Sequence, residues 1–319
     1  MKKTIMLMIT ILCLSSAVYA APDSLVPVGA AVGIHLDGEL VVVGFDEEIG
    51  AQASSAGVRA GDRIVSVNGA APTSLDCLRS AADASDVRLC VDRGGKKIEF
   101  YLTPVATAEG RRLGLRVRDG VTGIGTVTFY DPETGDFGAL GHSVNDPETG
   151  ECIPITGGTV MRASVTDVVV GKSGHPGELR GSFDRADTIG EIAQNGSSGI
   201  FGTLHIPVEV RAPLPVAEVS QVHTGKATIL SNVSGTEVRP YEIEITKLDA
   251  SGPCGRNFLF EVRDSDLIAR TGGIVQGMSG SPVIQDGKFV GAVTHVLVDD
   301  PRMGYGIFIE NMLEAEDAA

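Results

Sequence analysis

Ser279 lies in Gly272-Gly273-Ile274-Val275-Gln276-Gly277-Met278-Ser279-Gly280-Ser281-Pro282, and its neighbours give it chemical interest. Gly277 and Gly280 flank the serine with residues that take unusual backbone angles and let another chain come close. A Gly-x-Ser-Gly run offers a hydroxyl nucleophile and two backbone N–H groups, those of Gly277 and Ser279, that can converge on a developing oxyanion. That is the equipment of acyl transfer. A Gly/Ser-rich turn between two strands has the same composition, so a base must accompany the serine before the motif means more.

Histidine is the usual base for a hydroxyl near neutral pH. His142 follows Phe137-Gly138-Ala139-Leu140-Gly141, a small, glycine-spaced strand end from which an imidazole can face a cleft. His295 ends the apolar run Phe289–His295, close enough after the serine to be its neighbour in a hairpin. His205 and His223 lie in strand-like runs, and His175 lies in a Gly-Pro loop. Spacing alone does not choose among them.

The elements that must carry these residues are strands. The chain has 319 residues, 41 of them glycine, and 43% hydrophobic content, enough for a sizeable core and two domains. Val/Ile/Thr-rich runs bounded by Gly, Pro, Asn or Asp predict a mainly β protein with few helices. Residues 1–20 carry Lys2 and Lys3, an apolar run Ile5–Leu14 and small residues up to Ala20. This pattern predicts a secretory signal cut after Ala20, or else an uncleaved membrane anchor. Losing Lys2 and Lys3 takes the formal charge from −15 to −17, which disfavours nucleic acid as a partner. Cys77, Cys90, Cys152 and Cys254 would remain, with bridges possible in an oxidising compartment and core thiols the expectation for the first two. Their spacings match no zinc pattern, so no metal is expected, and acyl transfer by a serine and a histidine needs no cofactor.

Residues 21–104 predict a module of their own. Ile34-His35-Leu36 and Leu40–Phe45 read as a strand pair turned at Asp37-Gly38. Ser54-Ser55-Ala56-Gly57-Val58-Arg59-Ala60-Gly61-Asp62-Arg63-Ile64-Val65-Ser66-Val67-Asn68-Gly69 follows as a short helical turn and a strand ending in an Asn-Gly turn, and then a helix near Ser74–Ala82. Val87–Val91 and Lys97–Leu102 read as strands joined through Gly94-Gly95, and Thr103-Pro104 ends the module. The order of these pieces resembles a PDZ domain. The resemblance implies a groove at Val32, Gly33, Ile34 and His35 that pairs with a peptide or captures a C-terminus.

Residues 105–319 continue with strands at Leu113–Val117 and Gly125–Tyr130 and a turn at Asp131–Gly135. Gly141-His142, Gly174-His175-Pro176-Gly177-Glu178-Leu179-Arg180-Gly181, Ile189-Gly190-Glu191-Ile192, Asn195 and Gly199-Ile200-Phe201-Gly202 recur with the serine stretch Gly273–Pro282, Gly291–Val296 and Gly304–Glu310. Together these resemble the SpoIVB peptidase family of spore-forming bacteria over nearly the whole mature chain. The resemblance implies a PDZ domain followed by a chymotrypsin-like double β-barrel serine peptidase domain. Its base falls on His142, its nucleophile on Ser279 and its acidic member on Asp264, with Asp266, Asp184 and Asp187 as alternatives. Gly277 and Ser279 would supply the oxyanion hole. It further implies an exported sporulation-signalling endopeptidase that acts between the forespore membranes. Its protein substrates would be itself and a membrane-bound regulator of pro-sigma-K processing. Self-cleavage would involve self-association and a flexible segment at Ala21–Pro27 or Thr103–Gly110. Placing PDZ before the peptidase sets the chain apart from quality-control proteases of the HtrA type. A non-catalytic PDZ-based binding protein is the other alternative.

Overall fold

A computed structural model of the chain describes residues 22–72, 74–146, 150–208, 211–252 and 255–317. The expected leader at residues 1–20 and Cys254 lie outside them. The alternating runs do form strands, and the molecule is mainly β. In chain order come β1 (Ser24–Pro27), β2 (Ala31–Phe45), α1 (Ala51–Ser55), β3 (Arg63–Val67), α2 (Leu75–Ala81), β4 (Val87–Arg93) and β5 (Lys96–Leu102). A hairpin of β6 (Val105–Thr107) and β7 (Gly110–Arg112) leads into β8 (Leu115–Tyr130), then β9 (Asp136–Ala139), β10 (Gly157–Val169), β11 (Glu178–Gly196), β12 (Gly199–Leu204) and β13 (Leu214–Pro215). The rest holds β14 (Gly225–Ser231), β15 (Arg239–Leu248), β16 (Phe258–Val262), α3 (Ser265–Thr271), β17 (Pro282–Gln285), β18 (Lys288–Leu297), β19 (Asp300–Phe308) and α4 (Ile309–Asp317).

Two rings of strands result. β2, β8, β9, β12, β11 and β10 pair in turn, and β10 returns to β2, so six antiparallel strands close on themselves. β14, β15, β16, β19, β18 and β17 form a second closed barrel. Closure removes the free edges that an open sheet would expose. The first ring encloses Val32, Ile34, Leu36, Val127, Phe137, Ile189 and Ile200, and the second encloses Ile229, Ile243, Phe260, Val283 and Val293. Met312 and Leu313 of α4 pack on Phe129 and Phe201 from the first ring and Phe289 from the second, so the last helix ties the two together. A third apolar cluster, with Leu40, Val42, Ile64, Leu78, Leu89 and Phe100 at its centre, is formed by β3, β4, β5, α1 and α2 on the far halves of β2 and β8.

Several expectations change here. Asp37-Gly38 is not a hairpin turn. β2 runs through it with a register shift, because β8 pairs along both halves of β2, from Ala31 opposite Thr126 to Phe45 opposite Leu115. The two strands expected at 113–117 and 125–130 are correspondingly one. Residues Val32 to His35 offer no free edge: Val32 lies between Arg162 of β10 and Gly125 of β8, and Gly33, Ile34 and His35 are paired on both sides in the same way. All four are buried, so a peptide cannot add there. The third cluster takes in Leu113, Leu115 and Val117, beyond the expected boundary at residue 104, whereas Leu25, Val28 and Val32 belong to the barrel cores. Ser24–Pro27 is a paired strand, buried from Leu25 to Pro27, rather than a loose segment. Cys90 is a buried thiol on β4 and Cys152 an exposed one.

Candidate active site

The serine stretch begins where α3 ends. Asp264 caps that helix, its Oδ1 accepting from the N–H groups of Asp266 and Leu267 at 3.0 Å each, and Gly272 closes it in a left-handed turn. The chain then passes Gly177 and Leu179, with Gln276 N–H donating to the Gly177 carbonyl and Leu179 N–H to the Gln276 carbonyl at 2.8 Å. Met278 turns inward and is fully buried, which leaves Ser279 at the surface of the cleft. Gly280 has φ +96°, and a Cβ there would lie 2.2 Å from the Thr126 carbonyl oxygen, so no other residue fits. Thr126 also donates its hydroxyl to the Gly277 carbonyl at 2.6 Å, fastening the turn to β8 of the other ring.

His142 is presented by a second tight turn. Leu140, at φ 69°, is a leucine in the left-handed region, a conformation that carries backbone strain. It is held by Leu140 N–H donating to Thr126 and Gly141 N–H donating to Ala139. His142 Nδ1 lies 2.8 Å from the Ser143 carbonyl oxygen. A carbonyl can only accept, so Nδ1 carries the proton and Nε2 keeps its lone pair. Burial pushes the His142 pKa below the ordinary imidazole range, opposed by the bond to Ser143. The ring is therefore a neutral base near pH 7.

His142 and Ser279 open onto one cleft of about 590 Å³ between the rings. Ile34, Leu36 and Ile124 line its first-ring side, and Val275, Gln276, Gly277, Thr294 and His295 line the other. Ser279 Oγ donates to the Thr294 carbonyl at 2.7 Å. The N–H groups of Gln276, Met278, Gly280 and Ser281 donate to Gly177, Val275, Val293 and Met278, whereas those of Gly277 and Ser279 have no protein acceptor among the described residues. Two unoccupied amides beside a hydroxyl suit an oxygen that acquires negative charge.

The expected carboxylate is elsewhere. Asp264 serves the cap of α3, Asp266 pairs with Arg270, Asp187 with Arg162, and Asp184 accepts from Ala186 N–H. None of the four lines the cleft. The Ser143 carbonyl occupies the Nδ1 position that an aspartate was expected to hold. Of the remaining histidines, His223 pairs with Asp286 and His205 with Glu191, while His175 sits in a turn with Lys172. His295 does reach the site, its ring centroid 5.0 Å from that of His142. Its place soon after the serine was the available signal, though sequence spacing gives no distance across the cleft.

A serine hydroxyl, a neutral imidazole and unoccupied amides in a cleft between two β-rings are the features of a serine peptidase. The chain belongs to the SpoIVB peptidase S55 family, whose model matches residues 109–313. No curated protein matches it. Among solved structures it is similar to the Rv3671c protease of M. tuberculosis. The inactive form is 16% identical with a TM-score of 0.36, covering 61% of this chain and 83% of that one. The active form is 17% identical with a TM-score of 0.36, covering 62% and 74%.

Proposed function

We propose that the chain is an endopeptidase in which Ser279 is the nucleophile and His142 the base. The observation that carries this is the meeting of His142, with Nδ1 held by the Ser143 carbonyl, Ser279, and the Gly277 and Ser279 amides that have no protein acceptor among the described residues, in one cleft. Rotation of the Ser279 side chain away from Thr294 turns Oγ toward His142. Oγ then forms a bond to the substrate carbonyl carbon, its proton passes to His142 Nε2, and the two amides hold the oxyanion. Collapse breaks the C–N bond as His142 returns the proton to the leaving amine, and water releases the acyl group by the same steps in reverse. Two six-stranded rings with the site between them support a chymotrypsin-like layout.

The family supports protein substrates. The export, the membrane-bound regulator of pro-sigma-K processing and the sporulation setting extend the resemblance of the sequence, as does self-cleavage. With Leu25–Pro27 buried in β1, Thr103–Gly110, which enters the β6–β7 hairpin, is the better self-cleavage segment. Residues 39–118 make the PDZ-like unit. Its peptide groove is taken as the cleft of about 370 Å³ between α2 and Leu113–Val117, where β8 is paired with β2 along one edge only. Leu75, Leu78 and Leu115 give it an apolar floor. Arg111 and Arg116 at its rim suit the carboxylate of a peptide C-terminus, beside Asp46 and beside Arg79 and Arg112, which pair with Asp76 and Glu109.

The test is to incubate the purified chain and its Ser279→Ala variant separately and follow fragments by mass spectrometry. Clipping of the first and survival of the second is expected, with the cut position giving a first substrate sequence. Equal clipping of both would remove Ser279 from the mechanism. Should both survive, the same comparison is made with the candidate membrane regulator added.

A further inference from the structure

His295 lines the cleft, yet the acyl-transfer scheme gives it no task. β18 carries it one residue beyond Thr294, whose carbonyl holds the Ser279 hydroxyl, so adjacent positions of one strand address both the nucleophile and the base. The His295 and His142 rings meet in a tilted contact, with centroids 5.0 Å apart and planes inclined by 36°. His295 Nδ1 is buried with no hydrogen-bond partner, an unfavourable state that asks for a compensating function. No carboxylate among the described residues hydrogen-bonds or ion-pairs with His142, whose one polar ring contact is the Ser143 carbonyl. The groups facing His295 are His142 across the cleft, Tyr305 opposite it on β19, and Arg256, which lies over the Tyr305 ring. Burial, His142 and Arg256 together lower the His295 pKa to about 4, so the ring is uncharged at neutral pH.

We propose that His295 is a positioning residue for His142: its ring packs against the base across the cleft, keeps Nε2 aimed at Ser279, and faces the imidazolium that forms when Ser279 yields its proton. The Ser143 carbonyl holds Nδ1, where the carboxylate of a Ser–His–Asp triad would accept its proton, and His295 acts on the imidazole through ring packing instead. This rests on the roles given above to Ser279 and His142. A cation over a neutral aromatic ring is favoured, whereas a second cation at that distance opposes it. A neutral partner therefore fits the transition state in a way that a charged one does not.

The test uses a fluorophosphonate probe, which needs no natural substrate. Ser279 Oγ bonds to phosphorus, the P–F bond breaks, fluoride leaves and the proton goes to His142. Second-order labelling rates across pH 5–8 are compared for the full chain and for His295→Phe, His295→Leu and His295→Lys, alongside NMR titration of His142. Phe keeps a neutral ring and is expected to label within about threefold of wild type, whereas Leu falls by about 10- to 100-fold and Lys by more than ~100-fold. The His142 pKa should stay put in the Phe variant and drop in the Lys variant, a difference that loss of packing alone would not produce. Equal rates for Phe and Leu, or a wild-type rate for Lys, would overturn the proposal. Should the variants fail to fold, the wild type still decides: a ring-to-ring NOE between His142 and His295, with His295 neutral from pH 5 to 8, supports it, and absence of either refutes it. Ser279→Ala and His142→Ala separate the two levels. If both stop labelling while Leu and Lys label like wild type, the positioning role alone fails; if Ser279→Ala labels like wild type, the serine mechanism fails and takes the positioning role with it.

Discussion

At the residue scale, burial governs how the two cleft histidines respond to acid. Each is held neutral below its ordinary titration range, His295 from 6.5 down to about 4. An unfolded chain takes up protons on these imidazoles near pH 6.5, while the folded one resists until the lower value. The unfolded state therefore binds more protons in that window, and stability falls as the pH drops through it. The denaturation midpoint should decline from pH 6.5 toward pH 4, with a shallower slope in His295→Phe, measured by urea titration at several pH values. An equal slope in both proteins would detach His295 from this effect. The same depression keeps His142 a competent base, so the acidic limb of the labelling rate should lie below pH 6.5.

At the element scale, α3 and the loop after it act as one part. Asp264 holds the first turn of α3, and the loop leaving that helix carries Ser279, so loss of the cap reaches the nucleophile through the backbone. Asp264→Ala should cost about 1 kcal/mol of stability, and Asp264→Asn, which still accepts hydrogen bonds, much less. If Asp264 touched His142 directly, Asn would be as damaging to activity as Ala; a graded loss of labelling that follows stability is expected instead. The groove between α2 and β8 makes a separate prediction. Fluorescence polarisation of a labelled peptide with a free C-terminus should report binding that Leu78→Arg removes by filling the floor, while amidation of the peptide weakens it by deleting the carboxylate. Binding indifferent to both changes would place peptide recognition elsewhere.

At the scale of the whole molecule, β2 and β8 bind the parts together. Each begins in one unit and ends in another, and the first ring cannot close without Ala31–Asp37 of β2. A chain cut to residues 105–319 would leave β8 and β10 without their common neighbour and expose the core around Phe137 and Ile189. Such a fragment should be insoluble or lack a cooperative unfolding transition, as circular dichroism and sedimentation would reveal. A soluble, probe-reactive 105–319 fragment would contradict this account of the ring.

The sequence by itself determined what is local. Alternation marked β2 to β5, β8 and β18 but few other strands of the second barrel, Asn68-Gly69 and Gly94-Gly95 marked turns that do take positive φ, and Ser74 marked the start of α2. Gly277, Ser279 and Gly280 announced a serine presented on a tight turn. Tertiary structure decided the rest, because each remaining question depended on a partner distant in the chain. Asp37-Gly38 has the composition of a hairpin turn, yet pairing with β8 on both sides of it keeps β2 extended. Val32–His35 read as a groove until β10, more than a hundred residues away, occupied the second edge. Asp264 has the chemistry of a triad member, but its carboxylate is satisfied by two N–H groups a few residues on. His142 and His295 meet for the opposite reason: they lie on different rings, and only the packing of the two rings brings them within 5.0 Å.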